Sequence, residues 1–146
     1  MMIAPISRHA ANNCGFTPDS SIVHCNGALM RAHCRDQATI VKVTGEIDAT
    51  NIGRFSDYIH RFTKGATCLI LDLTGVDFLC ARGISVLVAL DNDCRITGTR
   101  WAIVAGPAVR RLLQIGDPSN VLPTVNSQRE AIEAVAAQGT KTLVAS

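Results

Sequence analysis

The stretch CLILDLTGVDFLCARGISVLVALD, from Cys68 to Asp91, decides the fold because it joins a strand to a helix through a short turn. Its first part, Cys68–Leu73, is apolar apart from Asp72, a composition typical of a central strand covered on both faces. Its last part repeats apolar residues at helical spacing, which places Ile84, Leu87 and Val88 on one predicted buried face. A strand that leads directly into a helix predicts an α/β layer.

The chain before this stretch predicts a β-hairpin and then a helix. Two strand-like runs, Ala28–His33 and Ala38–Thr44, lie on either side of a polar break that is typical of a hairpin turn. The helix is predicted from apolar residues three and four positions apart, and Gly65 is expected to end it. The residues of that apolar stripe are Ile52, Phe55, Ile59 and Phe62.

The chain after this stretch continues the alternation. A strand is predicted over Trp101–Gly106, a helix from Pro107, and a short strand over Val121–Val125. Ser127–Glu130 has the pattern of a capping box and opens a last helix, predicted to end near Ala137. The order ββαβαβαβα predicts a single α/β domain with a mixed, mostly parallel sheet of about four to five strands, an N-terminal hairpin and about four helices.

Composition limits the classes of protein and of partner. The 146 residues suit one domain, predicted over residues 21–138 between a flexible N-terminal arm (1–20) and a C-terminal tail (139–146). The net charge of +2 is too small to indicate a nucleic-acid or membrane surface. No apolar run approaches the roughly 18 residues that span a bilayer, and the N-terminus lacks the pattern of a signal peptide. A cytoplasmic protein is therefore expected.

The six cysteines do not predict a metal site. In a reducing compartment we expect free thiols rather than disulfides, and no CxxC pattern occurs. The pairs His24-Cys25 and His33-Cys34 could supply four zinc ligands only on irregular backbone, because neighbouring residues of a strand point to opposite faces. We therefore expect neither a metal nor a cofactor. Cys68 and Cys94 are expected in the core.

Two motifs carry a resemblance to a known family. VTGEID at Val43–Asp48 and LILDLTGVDFL at Leu69–Leu79, followed by the strand-turn-helix, resemble the STAS domain family. The resemblance runs from about Ala28 to about Ala137. That family includes the bacterial anti-sigma factor antagonists and the cytosolic modules of sulfate transporters. The resemblance implies the STAS fold and a protein that acts by binding a protein partner.

The turn after the second motif departs from the family. In the antagonists it typically reads Asp-Ser-Ser/Thr-Gly, and the anti-sigma factor, a kinase-like ATPase, phosphorylates the first serine to abolish binding. Here Cys80 replaces the aspartate, Ala81 the phosphoacceptor serine and Arg82 the second hydroxyl residue. Only Gly83 agrees. By resemblance, the partner-binding residues are Glu46, Asp48, Cys80, Ala81, Arg82 and Gly83.

The resemblance therefore implies an anti-sigma factor antagonist without the usual switch, because the methyl group of Ala81 cannot accept a phosphoryl group. Arg82 is expected to add a fixed positive charge close to Glu46 and Asp48. The protein is then either a constitutive antagonist or a module whose Arg82 redirects it to another partner. A third interpretation is that the turn has become an ordinary helix start. Whether the chain forms a homodimer is open.

Two further functions remain as alternatives. A thiol at a helix N-terminus beside an arginine is a candidate for ionisation and oxidation, so Cys80 could be a redox sensor, although a small buried cysteine is the commoner case. A module that binds a small ligand or nucleotide, as in transporter members of the family, has no GxxxxGK[ST] loop to support it. No motif predicts an enzyme; a Cys80–His60 pair is left open, and Asp72 is expected to cap a loop.

Overall fold

The computed structural model describes residues 22–64 and 68–145, with side chains through Ala137. Six strands form one sheet: β1 (Val23–Cys25), β2 (Ala28–Arg35), β3 (Ala38–Ile47), β4 (Cys68–Leu79), β5 (Arg100–Ala105) and β6 (Thr124–Val125). The helices are α1 (Ile52–His60), which continues into a 3₁₀ turn (Arg61–Thr63), α2 (Arg82–Thr97), α3 (Pro107–Gly116) and α4 (Gln128–Ala145). Within these ranges, no helix combines the length and the apolar character needed to cross a lipid bilayer.

The sheet is mixed, as the sequence predicts. Its strands lie in chain order; β1, β2 and β3 are antiparallel, and β3 to β6 are parallel. The predicted hairpin turn between β2 and β3 is confirmed, and Asp36 and Gln37 take the positive φ values of 51° and 69° that a tight hairpin requires. The sixth strand is β1, which was not predicted because three residues are too few to show an alternating pattern.

Helices cover the two faces of the sheet unequally. On one side, here called the three-helix face, α1, α2 and α3 pack over the larger core. On the other side, α4 packs on β4, β5 and β6 over a smaller core. The smaller core consists of Ala38, Ile40, Cys68, Ile70, Ala102, Val104, Ala131 and Val135.

The buried stripe of α2 differs from the predicted one. Its buried residues are Gly83, Leu87, Leu90 and Cys94, whereas Val88 is 50% exposed. The prediction that Val88 is buried was therefore wrong. The buried stripe starts at Gly83 and continues in steps of four, three and four residues, so Val88 falls beside it rather than on it. Cys94 is in the core, as expected, and burial with the nearby charges of Asp91 and Asp93 raises the pKa of its thiol to about 12.

Several elements end later than predicted. β3 continues to Ile47 and β4 to Leu79, with register shifts that keep the two strands paired past the predicted ends. α4 runs to Ala145, beyond the predicted end near Ala137. Its start follows the capping box in part: Ser127 Oγ accepts the Glu130 N–H (3.1 Å), but Glu130 Oε1 accepts the N–H of Asn126 (2.9 Å). Gly65 and the N-terminal arm lie outside the described residues.

Candidate functional site

The pairing of β3 with β4 brings the two sequence motifs together. Glu46 lies opposite Phe78 and Ile47 opposite Leu79, and the N–H of Cys80 donates to the carbonyl of Ile47 (2.9 Å). Because the carboxyl ends of parallel strands meet at one edge of a sheet, the turn begins beside the Gly-Glu-Ile-Asp motif. We call this site the β3–β4 rim; it comprises Glu46, Asp48, Cys80, Ala81, Arg82 and Gly83.

The turn itself is the first turn of α2. The N–H of Gly83 donates to the carbonyl of Cys80 (2.8 Å), and the N–H of Ile84 donates to the carbonyl of Ala81 (3.1 Å). Ala81 already has helical dihedral angles and offers no side-chain cap. Ala81 and Arg82 are exposed, and Cys80 is half-buried. The turn therefore presents a methyl group and a guanidinium group to solvent.

Gly83 packs so closely against Leu79 that a side chain at this position would collide with it. A Cβ built on Gly83 would lie 2.6 Å from two carbon atoms of the Leu79 side chain, so the backbone of α2 rests directly on the end of β4. This close approach sets how far the turn projects from the sheet.

Asp48 is held within its own loop. Its Oδ1 accepts the hydroxyl (2.6 Å) and the N–H (2.9 Å) of Thr50, and these hydrogen bonds lower the pKa of the Asp48 carboxyl. The Asp48 carboxylate therefore shapes the loop between β3 and α1 through its hydrogen bonds to Thr50. It supplies a fixed negative charge at the rim.

Asn51 ties the rim to the β1–β2 hairpin. Its Oδ1 accepts the N–H of Asp48 (2.9 Å), and its Nδ2 lies within 3.2 Å of the carbonyls of Cys25, Asn26 and Glu46, to which it donates. Asn51 stands at the N-cap position of α1, but its side chain makes no capping hydrogen bond to that helix. Its buried side chain instead holds both ends of the Glu46–Asp48 segment.

Arg82 adds its charge to the rim without forming an ion pair with the described residues there. No ion pair in the described ranges joins Arg82 to Glu46 or Asp48, and the pKa of Asp48 is lowered by hydrogen bonds rather than by a nearby cation. Arg82 is exposed at the first residue of α2. Its charge is thus available to a partner.

Exposed apolar side chains lie next to the turn, and the sequence did not reveal them. Val88 is 50% exposed on α2, and Ile115 is 81% exposed near the end of α3. A Cβ built on Gly116 would lie 2.7 Å from the half-buried Ile84, so the end of α3 contacts the start of α2. We call Ile84, Val88 and Ile115 the apolar fringe. Contiguous exposed apolar groups of this kind are typical of protein interfaces.

Cys80 packs as a small apolar residue. Its half-buried side chain lies against the core of the three-helix face. The Cys80–His60 pair is not formed: His60 Nε2 lies 3.2 Å from the carboxylate of Asp93, and its Nδ1 lies 2.8 Å from the carbonyl of Ser56. Asp93 is eleven residues along α2 from Arg82, about 16 Å at the helical rise. The rim therefore contains no nucleophile–base pair.

Thiol labelling should separate the cysteines by burial. We expect iodoacetamide to modify Cys80 in the native protein, while Cys25 and Cys94, both buried and free, react only after unfolding. Mass spectrometry of peptides from native and denatured samples measures this order. A Cys80 that stays unlabelled in the native protein would end the redox-sensor hypothesis.

The expectation of free thiols holds for four cysteines and fails for one. Cys25, Cys68, Cys80 and Cys94 are free, but Cys34 is disulfide-bonded. The sequence pattern contained nothing that distinguished Cys34 from the others.

The His-Cys pairs considered as zinc ligands do not meet. Cys25 lies opposite Ala28, and His33 is five residues further along β2, about 17 Å away. Among the described residues, no cluster of three or more His, Cys, Asp or Glu side chains could hold a metal ion. Asp72 caps its own loop, as predicted: its Oδ1 accepts the N–H (3.0 Å) and hydroxyl (2.7 Å) of Thr74.

An open cleft of about 520 Å³ lies between α3 and the segment that leads into β6. Its cation, Arg110, already donates to the carbonyl of Ala105 and to Asn126 Oδ1. The only acid in its lining, Asp117, accepts the backbone N–H groups of Val121 and Leu122 (both 3.0 Å). The charged groups of the cleft are thus committed to the fold, which gives the nucleotide-binding alternative no support.

Comparison with known proteins agrees with this geometry. The family model of the STAS domain matches residues 30–131. Osmosensory protein A of Mycobacterium tuberculosis is 36% identical over 138 residues, which cover 90% of this chain and 85% of that protein. The anti-sigma-F factor antagonist RsfA of the same species is 29% identical over 103 residues, which cover 68% of this chain and 80% of RsfA.

Solved structures share the fold. The crystal structure of an anti-sigma factor antagonist from Mycobacterium paratuberculosis superposes with a TM-score of 0.68 at 26% identity, and the match covers 82% of this chain and 97% of that one. The anti-sigma factor antagonist SpoIIAA in its unphosphorylated form gives a TM-score of 0.60 at 15% identity, covering 74% of this chain and 96% of SpoIIAA. At that identity, the second match concerns the fold alone.

Proposed function

Because the chain belongs to the STAS domain family, we propose that it is a non-enzymatic anti-sigma factor antagonist that acts in the cytoplasm. Its partner is an anti-sigma factor of the kinase-like ATPase type, and the β3–β4 rim is the contact surface. The observation that carries the proposal is that β3 and β4 bring the two family motifs together at one edge of the sheet, beside a turn that exposes no hydroxyl group. The osmosensory relative favours a stress response as the pathway that this regulator serves.

The surface around the turn supports protein binding. Exposed Ala81 and Arg82 form the projecting part, and the apolar fringe adjoins them on α2 and α3. Protein interfaces combine desolvated apolar groups with arginine, which is enriched among the residues that dominate binding energy. The guanidinium of Arg82, which forms no ion pair with any described residue, suits an acidic group on the partner.

The turn supports constitutive binding. A phosphoryl group would bring about −1.5 to −2 charges at pH 7, but Ala81 has no oxygen to receive it. The nearest hydroxyl on α2 belongs to Ser85, one helical turn further along, where the approach differs from that of the family's acceptor. The turn therefore stays in the state that corresponds to the unphosphorylated, binding-competent antagonist.

Incubation with a partner and ATP tests both parts of the proposal. We expect the chain to co-purify with an anti-sigma factor of the kinase-like ATPase type, and to remain complexed when ATP is added. Intact-mass and peptide mass spectrometry should find no phosphate within residues 80–85. An antagonist with the usual serine is the positive control for kinase activity. Stoichiometric phosphate on Ser85 would contradict constitutive binding, and failure to bind any such factor would contradict the choice of partner.

A further inference from the structure

On the side that carries α4, no helix of the described ranges lies over the middle of β2 and β3. α4 packs on β4, β5 and β6. It also meets β2 and β3 at their hairpin end, where Arg35 donates to Gln128 and where Ala38 and Ile40 belong to the smaller core. On β2, Ala28, Met30 and Ala32 are buried in the core of the three-helix face. Because side chains alternate along a strand, Leu29, Arg31, His33 and Arg35 lie on the opposite side. We call the β2–β3 surface on this side, which also carries Lys42 and Thr44 of β3, the open sheet face.

The open sheet face is cationic. Arg31 and Lys42 are direct cross-strand partners, and both are exposed. Like charges placed directly opposite each other destabilise a sheet. His33 lies two residues along β2, and its Nδ1 is buried without a hydrogen-bond partner. Burial lowers the pKa of His33 first, the positive charges of Arg31, Lys42 and Arg35 lower it further, and the negative charge of Asp72 opposes them in part.

Few acidic groups of the described residues pair with the cations of this face. Asp72 is the neighbour of Lys42 on β4, but its Oδ1 accepts from Thr74 and its Oδ2 accepts from Gln128 (2.6 Å). Arg35 donates to Gln128 (3.0 Å) and lies 3.9 Å from the carboxylate of Asp36. Within the described ranges, Arg31 and Lys42 make no ion pair. Two exposed cations therefore stand side by side, and the one neighbouring acid in the described ranges, Asp72, is buried and already hydrogen-bonded.

We propose that the open sheet face is a second docking surface, which binds an acidic segment of a partner protein in extended conformation. Carboxylates on alternate residues of such a segment would share one side and pair with Arg31 and Lys42. Leu29, half-buried beside them, gives apolar contact area. The sheet separates this surface from α2, so it can be occupied while the turn is engaged.

The chemistry favours a protein segment over other anions. The isoelectric point of about 8.3 is below the range above 9 that is typical of nucleic-acid-binding domains. Recognition of anionic lipid uses clusters of about four to eight Lys and Arg residues, more than this face carries. Two adjacent cations, Arg31 and Lys42, beside the half-buried Leu29 are enough to bind a few carboxylates on a polypeptide.

A labelled peptide of alternating glutamate and valine, measured by fluorescence anisotropy at low salt, tests the proposal. We expect the full chain to bind this peptide and not its lysine counterpart. Arg31→Glu should weaken binding at least about tenfold and Lys42→Gln about threefold. Arg54→Glu is the matched control, because it makes the same change of charge at an exposed position of α1; its affinity should stay within about twofold.

Stability separates a binding role from a structural one. Arg31→Glu places a carboxylate opposite Lys42, so the melting temperature should rise by about 1–3 °C while peptide affinity falls. Equal losses in Arg31→Glu and Arg54→Glu would overturn the proposal, since only net charge would then matter. Absence of peptide binding would overturn it too. Tighter binding of short duplex DNA, or of phosphatidylglycerol vesicles, than of the peptide would show that the class of partner is wrong.

Discussion

Replacement of Gly45 by alanine is expected to lower the free energy of unfolding by at least about 3 kcal/mol. Gly45 has φ of +100°, where residues with a side chain are strained, and a Cβ there would lie 2.2 Å from the carbonyl oxygen of Gly27. That oxygen accepts the N–H of Glu46 (3.1 Å), so moving it breaks a link between the β1–β2 hairpin and β3. Chemical denaturation followed by circular dichroism measures the loss.

Gly53 is the matched control. It is exposed on α1, and no atom lies within 4 Å of a Cβ built on it. Gly53→Ala should raise the free energy of unfolding by about 0.5–1 kcal/mol, because alanine is a better helix former than glycine. If Gly45→Ala costs less than about 1 kcal/mol, the close approach to Gly27 is not what the glycine provides.

The glycine also matters for the rim. Gly45 precedes Glu46, and Asn51 holds the Glu46 carbonyl and the Asp48 N–H in place. A displaced Gly45 would shift both acids relative to the turn. The Gly-Glu-Ile-Asp motif thus has a physical role in this chain. Gly45 takes a left-handed backbone conformation against the β1–β2 hairpin, and this conformation places Glu46 and Asp48 beside the turn.

Most of the architecture could be predicted from periodicity. The apolar run at Cys68–Leu73 specified a central strand, and the four helices followed from apolar spacing and capping signals. The position of Glu46 beside the turn followed from the parallel pairing of β3 and β4. Elements whose residues repeat a pattern over many positions are predictable in this way.

The remainder depended on packing that no local pattern encodes. Val88 is exposed because Gly83 rests on Leu79, which sets the rotation of α2 on the sheet. Asn51 stands at the N-cap position of α1, yet two of the carbonyls that it binds, those of Cys25 and Asn26, are about 25 residues away in the chain. The open sheet face could not be predicted from the sequence, because only the structure shows which strands α4 packs on.

Introduction of a negative charge at the turn is expected to abolish the proposed antagonist activity. Ala81→Glu puts a carboxylate at the position where the family resemblance implies a phosphoacceptor serine, and Arg82→Glu reverses the only charge on the turn. We expect each variant to weaken anti-sigma factor binding at least about tenfold, measured by isothermal titration calorimetry. Stability should change little, because both residues are exposed and neither makes an ion pair in the described ranges.

Two substitutions distinguish charge at the turn from charge in general. Ala137→Glu adds the same carboxylate on α4, on the other side of the sheet, and should leave affinity within about twofold. Ala81→Ser should bind as tightly as the unmodified chain, because a hydroxyl adds little volume and no charge. If Ala81→Glu and Ala137→Glu bind equally well, the turn is not the contact surface, and Ala81 and Arg82 form an ordinary helix start.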